Sequence, residues 1–197
     1  MRVTPGMDSL GALLHEMGRA QEAEQWYRQA ADAGHASAMD NLGALLHEMG
    51  RVQQAEHWYR QAAAAGRTGA KYNLGVLLEQ ADRSDEAEEW YRQAADAGHT
   101  GAMNHLGALL HGMGRVQDAE RCYQQAAATG DTAAMYHLGG LLHGMGRVQD
   151  AEHWYRPAAA TGHTGAMHNL GTLLEETGRQ QEAEQWYRQA DTKHRAS

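Results

Sequence analysis

The sequence predicts an all-α fold, a solenoid of antiparallel helix pairs, and an internal repeat is the main reason. A Leu-Gly pair returns six times at intervals of 32 residues, and a fixed period in this range is typical of solenoids. The pairs are Leu10-Gly11, Leu42-Gly43, Leu74-Gly75, Leu106-Gly107, Leu138-Gly139 and Leu170-Gly171. Each interval also contains two apolar stripes at helical spacing, joined by only a few residues, and such short connections force neighbouring helices to run antiparallel.

The first helix of each unit is predicted from apolar residues that recur three and four positions apart. In the second unit this stripe consists of Met39, Leu42, Leu45, Leu46 and Met49, which would lie on one side of an α-helix. Gly50 follows the stripe, at the place where a helix usually ends in a left-handed residue.

The second helix of the unit carries its own stripe, and a glycine, Gly66, is expected to end it. The stripe consists of Val52, Ala55, Trp58, Tyr59 and Ala62. A threonine then precedes each later first helix, at Thr68, Thr100, Thr132 and Thr164. A threonine hydroxyl can accept hydrogen bonds from the free N–H groups of a helix start, so these residues are predicted to be caps.

The repeat predicts one array over residues 7–191 rather than separate domains, because each unit of a solenoid packs on its neighbours. The units are expected at approximately residues 7–35, 36–67, 68–99, 100–131, 132–163 and 164–191. Residues 1–6 and 192–197 are expected to be flexible ends.

The glycine of each Leu-Gly pair lies in the middle of a helix, where it costs about 1 kcal/mol relative to alanine. Close helix contact is the predicted reason. The expected neighbour is a small residue of the second helix, which is Ala23, Ala55, Ala87, Ala119, Ala151 or Ala183 in the successive units. The Trp-Tyr pair of the second helix is expected to supply the bulk of the core.

Three departures from the pattern lead to local expectations. Cys122 stands where the other units have tryptophan, so we expect a thinner core in the fourth unit and a buried thiol. Pro157 removes a helical N–H group and should kink or loosen its helix. Asp82 replaces the glycine between two helices, and aspartate tolerates the left-handed conformation better than most residues.

Composition excludes several classes of protein. The formal net charge of -8 opposes nucleic-acid binding, which needs a basic surface. No apolar run approaches the ~20 residues that span a bilayer, so no membrane segment is expected. The single cysteine, Cys122, allows no intrachain disulfide and fits a reducing, cytoplasmic location.

The unit resembles two known repeat families. From Leu42-Gly43 through Ala55, Tyr59 and Ala62 it resembles the tetratricopeptide repeat, with its small alanine and aromatic residue after Leu-Gly. From Trp58, through WYRQAAAAG to Ala70 and the next Leu-Gly pair, it resembles the Sel1-like repeat. The resemblance covers about residues 7–190, and it implies a right-handed α–α superhelix that binds other proteins.

In such solenoids the first helices usually line the concave face, and the resemblance therefore places a binding groove there. The residues expected to line it are Asp40, Asn41, His47, Tyr72, Asn73, Glu79, Asn104, His111, Tyr136, His143, His168 and Glu175. A solvated helix face whose polar residues serve no ligand is the alternative interpretation. Tyr72 and Tyr136 favour binding, because aromatic residues on an exposed face are typical anchors.

No metal, cofactor or catalytic site is predicted. Helical metal sites need ligands three or four residues apart, and no two of the 13 histidines have that spacing. His35, His99 and His163 follow the glycine that ends a helix and are expected in exposed turns. No nucleophile motif, phosphate-binding loop or carboxylate cluster is present, so we expect no enzyme.

The predicted function is a scaffold or adaptor that binds a protein or peptide in the groove. Two alternatives remain open. The chain could be a self-assembling solenoid that forms homo-oligomers through uncapped terminal repeats, or it could be the repeat domain of a larger regulatory protein. RNA binding is disfavoured, because the predicted groove lacks arginine and lysine.

Overall fold

The computed structural model describes residues 6–194, which form twelve α-helices and contain no strand. The prediction of an all-α fold is confirmed. The helices are α1 Gly6–Glu16, α2 Ala20–Asp32, α3 Ala36–Glu48, α4 Val52–Ala64, α5 Thr68–Gln80, α6 Ser84–Asp96, α7 Thr100–Gly112, α8 Val116–Ala128, α9 Thr132–Gly144, α10 Val148–Ala160, α11 Thr164–Glu176 and α12 Gln180–His194. The odd-numbered helices are the first helices of the repeats, and the even-numbered helices are the second.

Helix α12 continues to His194. Residues 192–194 were expected to belong to a flexible end, and they are helical instead. The other residues of the two predicted ends, 1–5 and 195–197, lie outside the described part of the chain. The boundaries of the array as a whole remain a prediction.

The chain forms two compact units, residues 1–102 and 103–197. In the first unit, α1 to α5 each pack on the next helix along the chain, and the first helices also touch one another, α1 on α3 and α3 on α5. In the second unit, α8 to α11 each pack on the next helix, and α9 touches α11. Each unit is therefore a stack of antiparallel helix pairs.

Leucines of the first helices and tyrosines of the second helices form the core. In α3, Leu42, Leu45 and Leu46 are at most 1% exposed, and in α6 the side chain of Tyr91 is completely buried. The tryptophan beside each tyrosine is only half-buried. The expectation that both aromatic residues fill the core is therefore wrong, because adjacent residues point about 100° apart on a helix.

This placement also corrects the expectation for the fourth repeat. Cys122 is half-buried at the edge, like the tryptophans that it replaces. The neighbouring Tyr123 is 3% exposed and Ala119 is fully buried, so the core at this tyrosine is as closed as in other repeats. Cys122 therefore does not thin the core, and its thiol does not lie in it.

The mid-helix glycines make room for the tyrosine ring of the second helix. We had expected an alanine of that helix as their neighbour. A Cβ atom on Gly75 would lie 2.6 Å from the Tyr91 ring. The same clash occurs in the other repeats, with nearest distances between 2.4 and 2.7 Å, at Gly11, Gly43, Gly107, Gly139 and Gly171. The Leu-Gly pair and the tyrosine thus form one packing unit.

The turns follow the sequence prediction, whereas the caps differ from it. Gly50 and Gly66 have positive φ angles, and Asp82 has a φ of 57°, as expected for left-handed helix ends. The threonines are the first helical residues and not the caps. Capping is done by the residue before them where its side chain can accept a hydrogen bond, as Asp131 does from the N–H group of Ala134 at 2.6 Å.

Helix α10 runs through Pro157 from Val148 to Ala160 without interruption. The expected loosening of this helix is therefore wrong, and the expected kink stays a prediction.

Candidate binding surface on the first helices

The predicted groove residues lie on α3, α5, α7, α9 and α11, and we call them the first-helix face. Asp40 is buried, with 7% exposure. Three residues are exposed, namely His111, His168 and Glu175. The remaining eight are half-buried: Asn41, His47, Tyr72, Asn73, Glu79, Asn104, Tyr136 and His143. Most of this face is therefore a packed polar layer and not a set of freely solvated side chains.

One row of hydrogen bonds links the residue two before a Leu-Gly pair to the residue one before the next pair. In the first unit, Asn41 Nδ2 donates to Asp8 Oδ1 at 2.9 Å, and Asn73 Nδ2 donates to Asp40 Oδ1 at 3.0 Å. In the second unit, His137 Nδ1 lies 3.0 Å from Asn104 Oδ1. These side chains join neighbouring repeats, so their first role is structural.

A second row runs along the other end of the same helices. His15 Nε2 lies 2.8 Å from Glu48 Oε2, and His47 Nε2 lies 3.0 Å from Gln80 Oε1. In the second unit, His143 Nε2 lies 2.8 Å from Glu176 Oε2. Two rows of side-chain bonds therefore hold the first helices in register.

Asp40 is the most enclosed carboxylate of the described residues. Burial raises the pKa of the Asp40 carboxyl above its ordinary value, and the hydrogen bond from Asn73 and the guanidinium of Arg67, 3.7 Å away, only partly offset this. Gly69 packs against it, since a Cβ there would lie 3.3 Å from Oδ2. The carboxylate is thus held between two repeats.

The tyrosines of the first-helix face stack on histidines that begin the next first helix. The rings of Tyr72 and His99 lie 4.6 Å apart at an angle of 20°, in the first unit. The rings of Tyr136 and His163 lie 4.6 Å apart at 30°, in the second unit. All four residues are half-buried, so each stack keeps part of its surface open to solvent.

The histidines of both stacks are helix caps, which fixes their tautomer. His99 Nδ1 accepts from the N–H group of Ala102, and His163 Nδ1 accepts from that of Ala166, each at 3.1 Å. A neutral ring that accepts at Nδ1 carries its proton on Nε2. Each stack therefore combines an aromatic surface with an Nε2–H donor. The expectation that these histidines sit in exposed turns missed both roles.

Small residues keep the stacks compact. A Cβ on Gly101 would lie 3.2 Å from the His99 ring, and one on Gly165 would lie 3.3 Å from both His163 and Tyr136. At the corresponding place between the second and third repeats, Asp40 faces Arg67. The same position thus carries an ion pair in one repeat and an aromatic stack in others.

The core tyrosines reach the first-helix face with their hydroxyl groups. Tyr91 donates to Glu79 Oε2 at 2.7 Å, and Tyr187 donates to Glu175 Oε2 at 3.1 Å. Burial raises the pKa of Tyr91, and the hydrogen bond to Glu79 raises it further. Glu79 and Glu175 therefore anchor the aromatic core from the surface side.

The second helices carry a ladder of ion pairs that was not predicted from the sequence. Glu56 accepts from Arg60 of its own helix at 2.7 Å and from Arg83 of the next repeat at 2.8 Å. Burial raises the pKa of Glu56, but hydrogen bonds from Arg83 and Arg60 outweigh it and hold the pKa below its usual value. The signal was present: an arginine in the turn, preceded by glycine in every repeat but the third, and Ala-Glu in the second helix both return every 32 residues.

The described residues contain no group of three or more histidine, cysteine, aspartate or glutamate side chains that could hold a metal ion. Within residues 6–194, none of the helices has the length and apolar character needed to cross a bilayer.

Family models described as tetratricopeptide repeat match most of the sequence. One matches residues 7–33, 35–68 and 164–195, a second matches 106–166, and a third matches 68–97. A Sel1 repeat protein from Oxalobacter formigenes is 30% identical, with a TM-score of 0.73 over 94% of this chain and 86% of that one. The chain belongs to the tetratricopeptide and Sel1-like repeat proteins. The predicted resemblance and the helical-repeat solenoid are both confirmed.

Two further solved structures are similar to this repeat protein. One is c5321, a protective antigen of uropathogenic Escherichia coli with an SLR fold, which is 28% identical with a TM-score of 0.79. That match includes 93% of this chain but only 44% of c5321, so this chain spans less than half the length of c5321. The other is YrrB, described as a TPR protein with an unusual peptide-binding site, at 21% identity and a TM-score of 0.64, over 83% of this chain and 90% of that one. No curated protein matches. Repeats of this family are generally protein-interaction modules.

Proposed function

We propose that the chain is a scaffold that binds an extended peptide or protein segment on its first-helix face. The observation that carries this proposal is the Tyr–His stack, which occurs once in each unit with the same partners and ring distance. Aromatic side chains held by neighbours are typical binding anchors, because they bury a large area and lose little rotamer freedom. The Nε2–H group of the histidine supplies a donor for a peptide carbonyl.

The polar rows around the stacks support the proposal by making the surface rigid. Side chains that are already hydrogen-bonded to the next repeat need no further ordering when a ligand arrives, which lowers the entropic cost of binding. YrrB, which shares the fold, is described as carrying a peptide-binding site, and we extend peptide binding to this chain as part of the proposal.

The test is a selection from a random peptide library on the intact chain, followed by affinity measurements on the peptides obtained. Changing Tyr72→Ala and Tyr136→Ala together should weaken their binding by about tenfold or more, as loss of an interface anchor does. Arg121→Ala is the matched control, because Arg121 is 74% exposed on the second helix α8. Equal affinity for the tyrosine variant and the intact chain would refute the proposal.

We also propose that the chain is not catalytic and that it is cytoplasmic. The acidic net charge of -8 and the single cysteine support a partner that is a protein and a reducing location. Fractionation of the cells that express the chain tests the location, and recovery outside the cytoplasm would refute it.

A second candidate function is self-association through the first and last repeats. The observation that favours it is the exposure of Leu10 and Leu13, which are 37% and 53% exposed on α1, whereas Leu42 and Leu45 at the same places of α3 are at most 1% exposed. Sedimentation of the intact chain over a concentration series tests it, and a constant mass of one chain would refute it.

A further inference from the structure

The exposed leucines of α1 mark a surface that the other repeats use for stacking. Leu10 and Leu13 correspond to Leu42 and Leu45, which become buried where α3 packs on α1 and α2. In the second unit, Leu170 and Leu173 of α11 are also fully buried, where α11 packs on α9 and α10. The α1 surface therefore has the shape and polarity that accept a preceding helix pair.

Ion pairs accompany this packing at each junction inside the two units. The arginine of the turn reaches back to the preceding second helix: Arg51 to Glu24 at 2.7 Å and Arg83 to Glu56 at 2.8 Å, and in the second unit Arg147 to Glu120 and Arg179 to Glu152, both at 2.7 Å. A second link runs forward, from Arg60 to Glu86 at 3.2 Å and from Arg156 to Glu182 at 2.7 Å. Two pairs of opposite charges thus meet at the junction between the second and third repeats and at that between the fifth and sixth.

The first repeat carries one half of this pattern. Arg19 occupies the place of Arg51 and Arg83, and Glu22 occupies the place of Glu86. Arg19 and Glu22 bond to one another at 2.5 Å with about half of each side chain exposed. Both groups therefore remain accessible to solvent.

The last repeat carries the complementary half. Glu184 occupies the place of Glu152, and Arg188 occupies the place of Arg156. They bond to one another at 2.9 Å, with 63% and 79% of their side chains exposed. Tyr187 beside them is half-buried, whereas its five equivalents are at most 3% exposed. A partly exposed tyrosine next to a matching pair of charges is thus present here.

We propose that copies of this chain associate head to tail, with the α1–α2 surface of one copy on the α11–α12 surface of another. Arg19 then meets Glu184 of the second copy, Glu22 meets its Arg188, and Leu10 and Leu13 are covered. This inference rests on self-association, the second candidate function. The two surfaces differ, so the contact does not saturate at a dimer.

One position opposes the contact. The second row of bonds on the first-helix face would place Glu175 of one copy opposite Glu16 of the next, whereas the internal junctions pair histidine with glutamate or glutamine there. Glutamine is accepted at the place of Glu16, because Gln80 occupies it in the third repeat. Changing Glu16→Gln should therefore strengthen the association, and a weaker association of this variant would contradict the register.

The experiment is sedimentation of the full chain and of charge-reversed variants over a concentration series. The mass of the intact chain should rise above the dimer value of two 21.6 kDa chains. Arg19→Glu and Glu184→Arg should each weaken association by about tenfold or more, because each places like charges in contact. A mixture of the two variants should associate again, since Glu at 19 of one meets Arg at 184 of the other.

Arg121→Glu is the control, because Arg121 also bonds to an acidic residue of its own helix but lies on α8, and it should leave association unchanged. Circular dichroism should show the helix content of the intact chain in each variant. Association that ignores both reversals would overturn the head-to-tail contact while leaving self-association in place. A mass of one chain at all concentrations would overturn both.

Discussion

Two adjacent glycines in α9 offer a direct test of how the first and second helices pack. A Cβ on Gly139 would lie 2.6 Å from the ring of Tyr155, whereas a Cβ on Gly140 would lie 3.5 Å from its hydroxyl, an ordinary contact distance. Tyr155 is 1% exposed, so its ring has no free space to move into. The two positions share one helix and one neighbour, and differ in the space available.

Alanine should therefore have opposite effects at these two sites. At both, it removes the helix cost of glycine, which is worth about 1 kcal/mol. At Gly139 it also forces an overpacked contact with a buried ring, which costs typically ~1–3 kcal/mol. We expect Gly140→Ala to raise the free energy of unfolding by up to about 1 kcal/mol. Gly139→Ala should lower it, or at best leave it unchanged when the two effects are equal.

Thermal and urea denaturation, followed by circular dichroism, measure the difference. For a chain of this size, 1 kcal/mol shifts the melting temperature by about 2–4 °C, so the two variants should lie clearly apart. Gly171→Ala is a useful comparison, because its partner Tyr187 is only half-buried and its ring can give way. Equal stabilisation by alanine at Gly139 and Gly140 would refute the packing explanation.

Three further predictions concern buried polar groups. The pKa of Asp40 is raised in the folded protein, so this carboxyl stabilises the fold at low pH, and the stabilisation is lost as pH rises through the folded pKa. Asp40→Asn should therefore raise the melting temperature at pH 7. The variant should lose this advantage below about pH 4, where the aspartate is protonated in both states. Tyr91→Phe removes the hydrogen bond to Glu79 and should lower the free energy of unfolding, measured by urea denaturation, by about 1–2 kcal/mol. An unchanged free energy of unfolding would mean that water replaces the bond. Glu56→Gln should lower the free energy of unfolding by about 1 kcal/mol, and by less at high salt. Glu184→Gln changes an exposed ion pair and should leave the free energy of unfolding unchanged at a concentration too low for association.

The helices and their ends follow from the sequence, because local chemistry determines them. The apolar stripes place α3 and α4 as expected, and Gly50, Gly66 and Asp82 end helices in the left-handed conformation that their side chains permit. Burial was harder to predict for Trp58 and Tyr59, since both fit an apolar stripe. The decisive fact, that Gly43 makes room for the Tyr59 ring, lies in the other helix of the pair.

The hydrogen-bond partners in the candidate site could not be predicted from the sequence. Asp40, Asn73 and His47 were expected to face a ligand, because the first helices of such solenoids usually line the concave face. Their partners lie in neighbouring repeats, 33 residues away, and they can be identified only when the register between two helices is known. The sequence shows that Tyr72 and Tyr136 occupy the same place in two repeats. It does not show that each of them stacks on a capping histidine.

The junction contacts have a consequence for how such a chain changes in length. Each bond between repeats joins two fixed places of the unit, so one unit can follow another copy of itself. If residues 36–67 were duplicated in frame, Glu56 of the first copy would meet Arg51 of the second, and Asp40 would meet Asn41, which are pairings already present between other repeats. Recombination at whole-unit boundaries would therefore lengthen the protein without requiring any compensating mutation.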